Sequence, residues 1–89
     1  MENIQSATLT KTLRYTSKSE KQFKYEIYQS SDGVYLFAMV YMLFELIEGS
    51  DTWVWAMLDK EVILSSDKQH PDHAVQDARK HFNDTYLNE

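Results

Sequence analysis

The sequence predicts an α+β domain: an antiparallel meander of four to five strands, with one C-terminal helix packed on one face. Three observations predict it. Eleven uncharged residues, Val34 to Phe44, form an apolar run in mid-chain between two turn-forming stretches. The segments on either side of that run alternate apolar and polar residues with the period of two that marks a half-buried strand. The C-terminal segment instead repeats apolar residues every four positions, as one stripe of a helix does.

The first strand is expected over 7–15. Ala7, Leu9, Leu13 and Tyr15 fall on one side and Thr8, Thr10, Thr12 and Arg14 on the other. Lys11 interrupts the apolar side, which suits a strand near an edge, where inward charges are tolerated. A second strand over 22–29 alternates Phe23, Tyr25 and Ile27 with Lys24, Glu26 and Tyr28.

The apolar run is expected to be the long third strand, over 34–47. It is too short for a bilayer helix, which needs about 20 residues. Ser30-Ser31-Asp32-Gly33 precedes it and Glu48-Gly49-Ser50-Asp51 follows it; both are turn chemistry. Its faces differ: Leu36, Ala38, Val40, Met42, Phe44 and Leu46 point one way, Tyr35, Phe37, Met39, Tyr41, Leu43 and Ile47 the other. A strand apolar on both sides needs cover on both, and one helix covers only one face.

A fourth strand is expected over 52–58, with Trp53, Trp55 and Met57 on one face. Asp59-Lys60 reads as a tight turn, and 61–64 as a short fifth strand. The helix is expected over 72–86. Pro71 suits its first turn because its missing donor is not needed there. Ala74, Ala78, Phe82 and Tyr86 form the stripe, and the two alanines allow close approach to an aliphatic sheet face. That face is expected to be Leu36, Val40, Met42, Val54, Ala56 and Leu58.

The 89 residues suit one small domain. With no cysteine, neither a disulfide framework nor a thiolate metal site is available. The N-terminus has no basic segment followed by an apolar one, so a cytoplasmic location is expected, with no membrane span. The formal net charge of −5 is uneven. Residues 1–30 are net basic, whereas Asp32, Glu45, Glu48, Asp51, Asp59, Glu61 and Asp67 concentrate acid around the centre. Such a surface attracts basic partners and repels phosphate backbones, which disfavours direct nucleic-acid binding.

The expected partner-binding surface joins the aromatic face, Tyr35, Phe37, Tyr41, Trp53 and Trp55, to the acidic residues Glu48, Asp51, Asp59 and Glu61. Trp and Tyr supply large rigid contact area with a polar tip and dominate binding hot spots. The plainer alternative is a sheet that curls until these rings fill one thick core. Carboxylates on a rigid sheet can also stand in for phosphates in a basic cleft, whereas the bland reading makes them a solubilising surface. His73, Asp77 and His81 follow at helical spacing and are the weak metal candidates; a polar flank beside the apolar stripe explains them equally well. There is no nucleophile motif and no glycine-rich phosphate loop, so no catalytic residue and no cofactor is expected.

The sequence thus reads as a small acidic, non-enzymatic protein-binding module. It has the composition of phage or mobile-element accessory proteins and would act as an inhibitor of a nucleic-acid-handling or host-defence protein. A homodimer would cover the second sheet face. The alternative is a ligand- or metal-binding domain, or a minor enzyme, with a pocket between helix and sheet.

Overall fold

A computed structural model describes residues 7–31, 35–64 and 72–89. Four strands, β1 (Thr8–Thr16), β2 (Gln22–Gln29), β3 (Leu36–Glu45) and β4 (Trp53–Leu64), are followed by one helix, α1 (Asp72–Thr85). The sheet is antiparallel, in the order β1-β2-β3-β4. This is the α+β meander with a terminal helix that the sequence predicts.

β4 departs from expectation. The expected turn at Asp59-Lys60 does not form; one strand runs unbroken from Trp53 to Leu64, and no fifth strand exists among the described residues. The pairing with β3 instead slips twice, between Ala38 and Val40 and between Val40 and Tyr41. The Asp59-Lys60-Glu61 triplet is therefore absorbed as bulges, which bend a strand without ending it. β3 is also shorter than the expected 34–47: Leu46 and Ile47 lie in the β3–β4 turn, which Leu46 N–H to Thr52 C=O closes at 2.7 Å. Gly49 sits in that turn at φ +83°, a conformation in which a side chain would be strained. The expected turn glycine Gly33, and Pro71 ahead of the helix, lie outside the described residues.

β1 is corrected as well. Leu9 pairs Tyr28 but Lys11 pairs Ile27, so one extra residue is accommodated at Thr10. Its hydroxyl donates to the Ile27 carbonyl at 3.1 Å. Opposed residues of an antiparallel pair share a face, so Leu9 lies with Tyr28 on the side away from the helix, while Leu13 and Tyr15 face the core.

The core lies between the helix and one sheet face. Phe23, Tyr25 and Ile27 of β2, Ala38 and Val40 of β3, Leu64 of β4 and Ala74, Ala78 and Phe82 of α1 are all buried. The two alanines seat the helix against the sheet, as the stripe requires. Phe82 fills the space above β1 and β2, its ring stacked on Tyr15 at 4.9 Å and edge-on to Phe23 at 5.4 Å. After the helix, Tyr86 stacks on Phe23 at 5.1 Å, and the Leu87 carbonyl accepts Lys18 N–H at 2.8 Å. The C-terminus is thereby tied to the β1–β2 turn.

The rings of the helix therefore rest on β1 and β2, while its backbone comes nearest to β4. Leu36, Val40 and Met42 face the helix as expected, but Val54 and Leu58 are exposed. From β4 the core takes only Leu64 and, at its margin, Val62. The cause is the C-terminal anchoring: Phe82 and Tyr86 are drawn to Tyr15 and Phe23, which leaves the Trp53–Leu58 half of β4 without a helix above it.

Candidate protein-docking surface

The register of the sheet assembles the face away from the helix. Arg14 of β1 pairs Lys24, Lys24 pairs Tyr41, and Tyr41 pairs Met57, so these four form one row across all four strands. Leu43 and Trp55 pair beside that row, with Glu45 and Trp53 beyond them. On the other side come Glu26 and Met39, then Tyr28 with Phe37. No second layer lies over this face among the described residues, yet Tyr35, Phe37, Met39, Tyr41 and Leu43 are only half-exposed. Side chains of the same face lie across one another. Tyr28 stacks on Phe37 at 5.6 Å, and Tyr35 tilts against Phe37 at 5.9 Å. The sheet has not curled these rings into the core.

Cations lie over the rings. The Arg14 guanidinium is 5.0 Å from the Trp55 ring centre; the Lys24 ammonium is 4.8 Å from Trp55 and 5.0 Å from Tyr41. Such contacts are attractive because a ring face is negative, and the long stems shield apolar surface. Lys24 also pairs with Glu26 at 3.4 Å, and Glu26 accepts the Tyr28 hydroxyl at 3.1 Å. Burial first, then the hydrogen bond and charge of Glu26, raise the Tyr28 hydroxyl above the usual tyrosine value. Burial and then the Glu26 charge do the same for Tyr41. Arg14 and Lys24 belong to the first 30 positions and the aromatics to β3 and β4, yet the fold brings these two cations onto Tyr41 and Trp55. Arg14, Lys24, Glu26 and Tyr28 were missed because they belong to β1 and β2, and only the strand register sets them beside Tyr41 and Trp55.

The nine expected docking residues do not form one continuous site. Tyr35, Phe37 and Tyr41 occupy the middle and far part of the face. Trp53, Trp55, Glu48 and Asp51 belong to the β3–β4 hairpin end. Asp59 and Glu61 lie on the bulged edge strand, where the Asp59 carboxylate accepts Glu61 N–H at 3.3 Å. Asp59 is on the helix side, and its charge helps to hold the Tyr25 and Tyr86 hydroxyls protonated. Glu61 lines a shallow groove of about 420 Å³ with Tyr35, Phe37, Met39 and Lys60. At about 3.3 Å per residue, the loop acids and the edge acids stand some 25–30 Å apart along the strand, so they make no single phosphate-like row.

Beside the expected Trp53, the hairpin end gathers apolar residues that the sequence did not assign to docking. Phe44, Leu46, Ile47, Trp53, Val54, Met57 and Leu58 are all exposed there, Ile47 at 67% and Trp53 at 53%. They occur on both sides of the two-stranded ribbon. Residues 44–58 contain Glu45, Glu48 and Asp51 and no basic residue. Glu45 is held in place by accepting Asp51 N–H at 3.3 Å.

On the helix side, His81 Nδ1 and the buried Tyr25 hydroxyl are 2.6 Å apart. Burial dominates a strong upward shift of the Tyr25 hydroxyl. His81 is thus committed to Tyr25, while His73 and Asp77 are exposed on the helix. Among the described residues no three His, Cys, Asp or Glu side chains converge as a metal site would need, so the His73, Asp77 and His81 spacing does not become one. A groove of about 380 Å³ between helix and sheet is lined by Thr10, Lys11, Ile27, Leu36, Asp72, Ala74 and Val75. Among the described residues it brings one lysine near one carboxylate and no histidine. Among the described residues no helix is long and apolar enough to cross a membrane.

Comparison with protein-family models, with curated proteins and with solved structures gave no match.

Proposed function

We propose that this chain is a non-enzymatic binding module that docks through the end of its β3–β4 hairpin into an apolar cleft with a basic rim on another protein. One observation carries the reading: seven exposed apolar side chains and three carboxylates share this hairpin, with no cation among them. Monomeric surfaces rarely expose contiguous apolar area of this kind without a use for it. Trp53 and Ile47 are the anchors; Glu45, Glu48 and Asp51 supply charge that steers a basic partner and fixes register. A cleft that ordinarily holds a phosphate backbone has the matching chemistry, so the module would act as an inhibitor of a nucleic-acid-handling or host-defence protein. Its place is the cytoplasm, and a second copy of the chain covers the aromatic face.

The alternative, a ligand site or minor enzyme between helix and sheet, has less support. Among the described residues, the groove there presents only Lys11 and Asp72 as ionisable groups.

The test compares two baits in extract of the native host. One carries Ile47→Ser with Glu48→Lys and Asp51→Lys; the other carries Tyr41→Ser. A protein held by the wild-type chain and by the Tyr41 variant, but released by the hairpin variant and by added salt, supports the reading. Retention by the hairpin variant overturns it.

A further inference from the structure

Charge is segregated across the width of this sheet. Residues 7–31, which hold β1 and β2, carry five basic and two acidic groups; residues 35–64, which hold β3 and β4, carry one basic and five acidic. On the face away from the helix, β1 and β2 contribute Arg14 and Lys24 and one carboxylate, Glu26, which pairs with Lys24; β3 and β4 contribute Glu45 and Glu61, and the two cations reach across to Trp55 and Tyr41. Among the described residues no further layer covers the half-buried aromatic and sulfur-bearing side chains of this face. Four strands at about 4.8 Å spacing and about eight residues at 3.3 Å give this face roughly 500 Å² in projection. Side-chain relief raises that toward the roughly 600–800 Å² per partner that stable interfaces bury.

The edge of β4 is a poorer route to association. Its two bulges and the Asp59-Lys60-Glu61 triplet break the ladder that edge-to-edge pairing needs. Pairing about the middle of that strand would also set acid against acid.

We infer that the aromatic face is covered by a second copy of this chain, face to face, about a two-fold axis parallel to the strands. This rests on the proposed homodimer and adds its geometry. Rotation about that axis lays the basic β1–β2 half of one copy over the acidic β3–β4 half of the other. The row Arg14, Lys24, Tyr41, Met57 then meets its own reverse, so Lys24 of each copy crosses Tyr41 of the other and Arg14 crosses Met57. The other in-plane axis, across the strands, would place base over base and acid over acid. The helices remain outside, giving a four-layer sandwich. Both β3–β4 hairpins emerge at the same end, so the dimer offers its docking element twice.

The chain has no native cysteine among its 89 residues, so Ser50→Cys gives one labelling site per copy. Light scattering of the full chain at micromolar concentration is expected to give twice the 10.5 kDa chain mass. Added salt should weaken association at least tenfold. Spin labels at position 50 should lie about 15–25 Å apart, given about 10 Å between packed sheets and a similar lateral offset. Arg14→Glu with Lys24→Glu, and separately Glu45→Lys with Glu61→Lys, should each dissociate the dimer. The two sets combined in one chain should restore it, a rescue that damaged folding would not produce. A monomer at a hundred micromolar, a label distance beyond about 35 Å, or no rescue overturns the inference. So does a monomeric chain that shifts a single-stranded oligonucleotide through Arg14 and Lys24. A monomer whose partner binding still depends on Ile47, Glu48 and Asp51 refutes the dimer and leaves the hairpin reading standing.

Discussion

Replacing Phe82 by alanine should cost far more than replacing Trp53, although tryptophan is the larger side chain. Phe82 is 2% exposed and its ring meets Tyr15, Phe23 and Tyr25, with centres 4.9, 5.4 and 6.5 Å away. Truncating a buried phenylalanine costs about 3–5 kcal/mol through lost transfer energy and the cavity left behind. Three aromatic neighbours that cannot all collapse into the gap favour the upper end. Trp53 is 53% exposed on the hairpin, and its loss should cost less than about 1 kcal/mol. A domain of this size is stable by roughly 4–13 kcal/mol. Phe82→Ala therefore removes about a quarter of the stability or more, and Trp53→Ala little. Urea titration followed by far-ultraviolet circular dichroism measures both. With a slope of about 1 kcal/mol per molar, the first variant should lose about 3–5 M in midpoint and the second under about 1 M. Equal losses would mean that the hairpin is packed as tightly as the helix, and would refute the one-sided core.

Two further outcomes follow from the tyrosines. Burial raises the hydroxyls of Tyr15, Tyr25, Tyr28, Tyr41 and Tyr86 above their ordinary value near 10. Above about pH 10 the unfolded chain releases phenolic protons that the folded chain keeps, so rising pH favours unfolding. This contribution to stability is complete below pH 10 and is lost above it, at about 1.4 kcal/mol per pH unit for each tyrosine held protonated. Urea melts at pH 8, 10 and 11 should show the fall, with Tyr25→Phe making it shallower; unchanged stability to pH 11 would contradict the burial of these groups. The Tyr25–His81 bond should also be asymmetric to mutation. Tyr25→Phe removes the buried partner and should cost about 0.5–1.5 kcal/mol, whereas His81→Ala strands a buried hydroxyl and should cost about 1–3 kcal/mol. Urea midpoints in the reverse order would show that Tyr25 reaches water.

Much of the fold was legible because local chemistry and the global solution agree. Threonine-rich alternation in β1, the Phe23-Tyr25-Ile27 alternation in β2 and the four-residue repeat of Ala74, Ala78 and Phe82 each state a period, and a period states an element. The site was legible only in part. Trp53, Trp55, Glu48 and Asp51 stand close in sequence and remain close on one hairpin. Arg14, Lys24, Glu26 and Tyr28 could not be found this way, because their relation to Tyr41 and Trp55 exists only through register. Leu9 was assigned to the wrong face, and a turn was expected in β4, because a bulge shifts side-chain parity without leaving a residue pattern that distinguishes it from a turn.

The sequence alone determined the α+β class, the order of the elements and the mid-chain strand that is apolar on both sides. These follow from short-range periodicity and from turn chemistry, which act between residues a few positions apart. Tertiary structure decided where the helix lies. Phe82 and Tyr86 stack on Tyr15 and Phe23, which draws the end of the helix toward β1 and β2 and leaves the β3–β4 hairpin bare. That choice compares contacts between segments distant along the chain, and no local pattern encodes which of two apolar surfaces a terminal helix will cover.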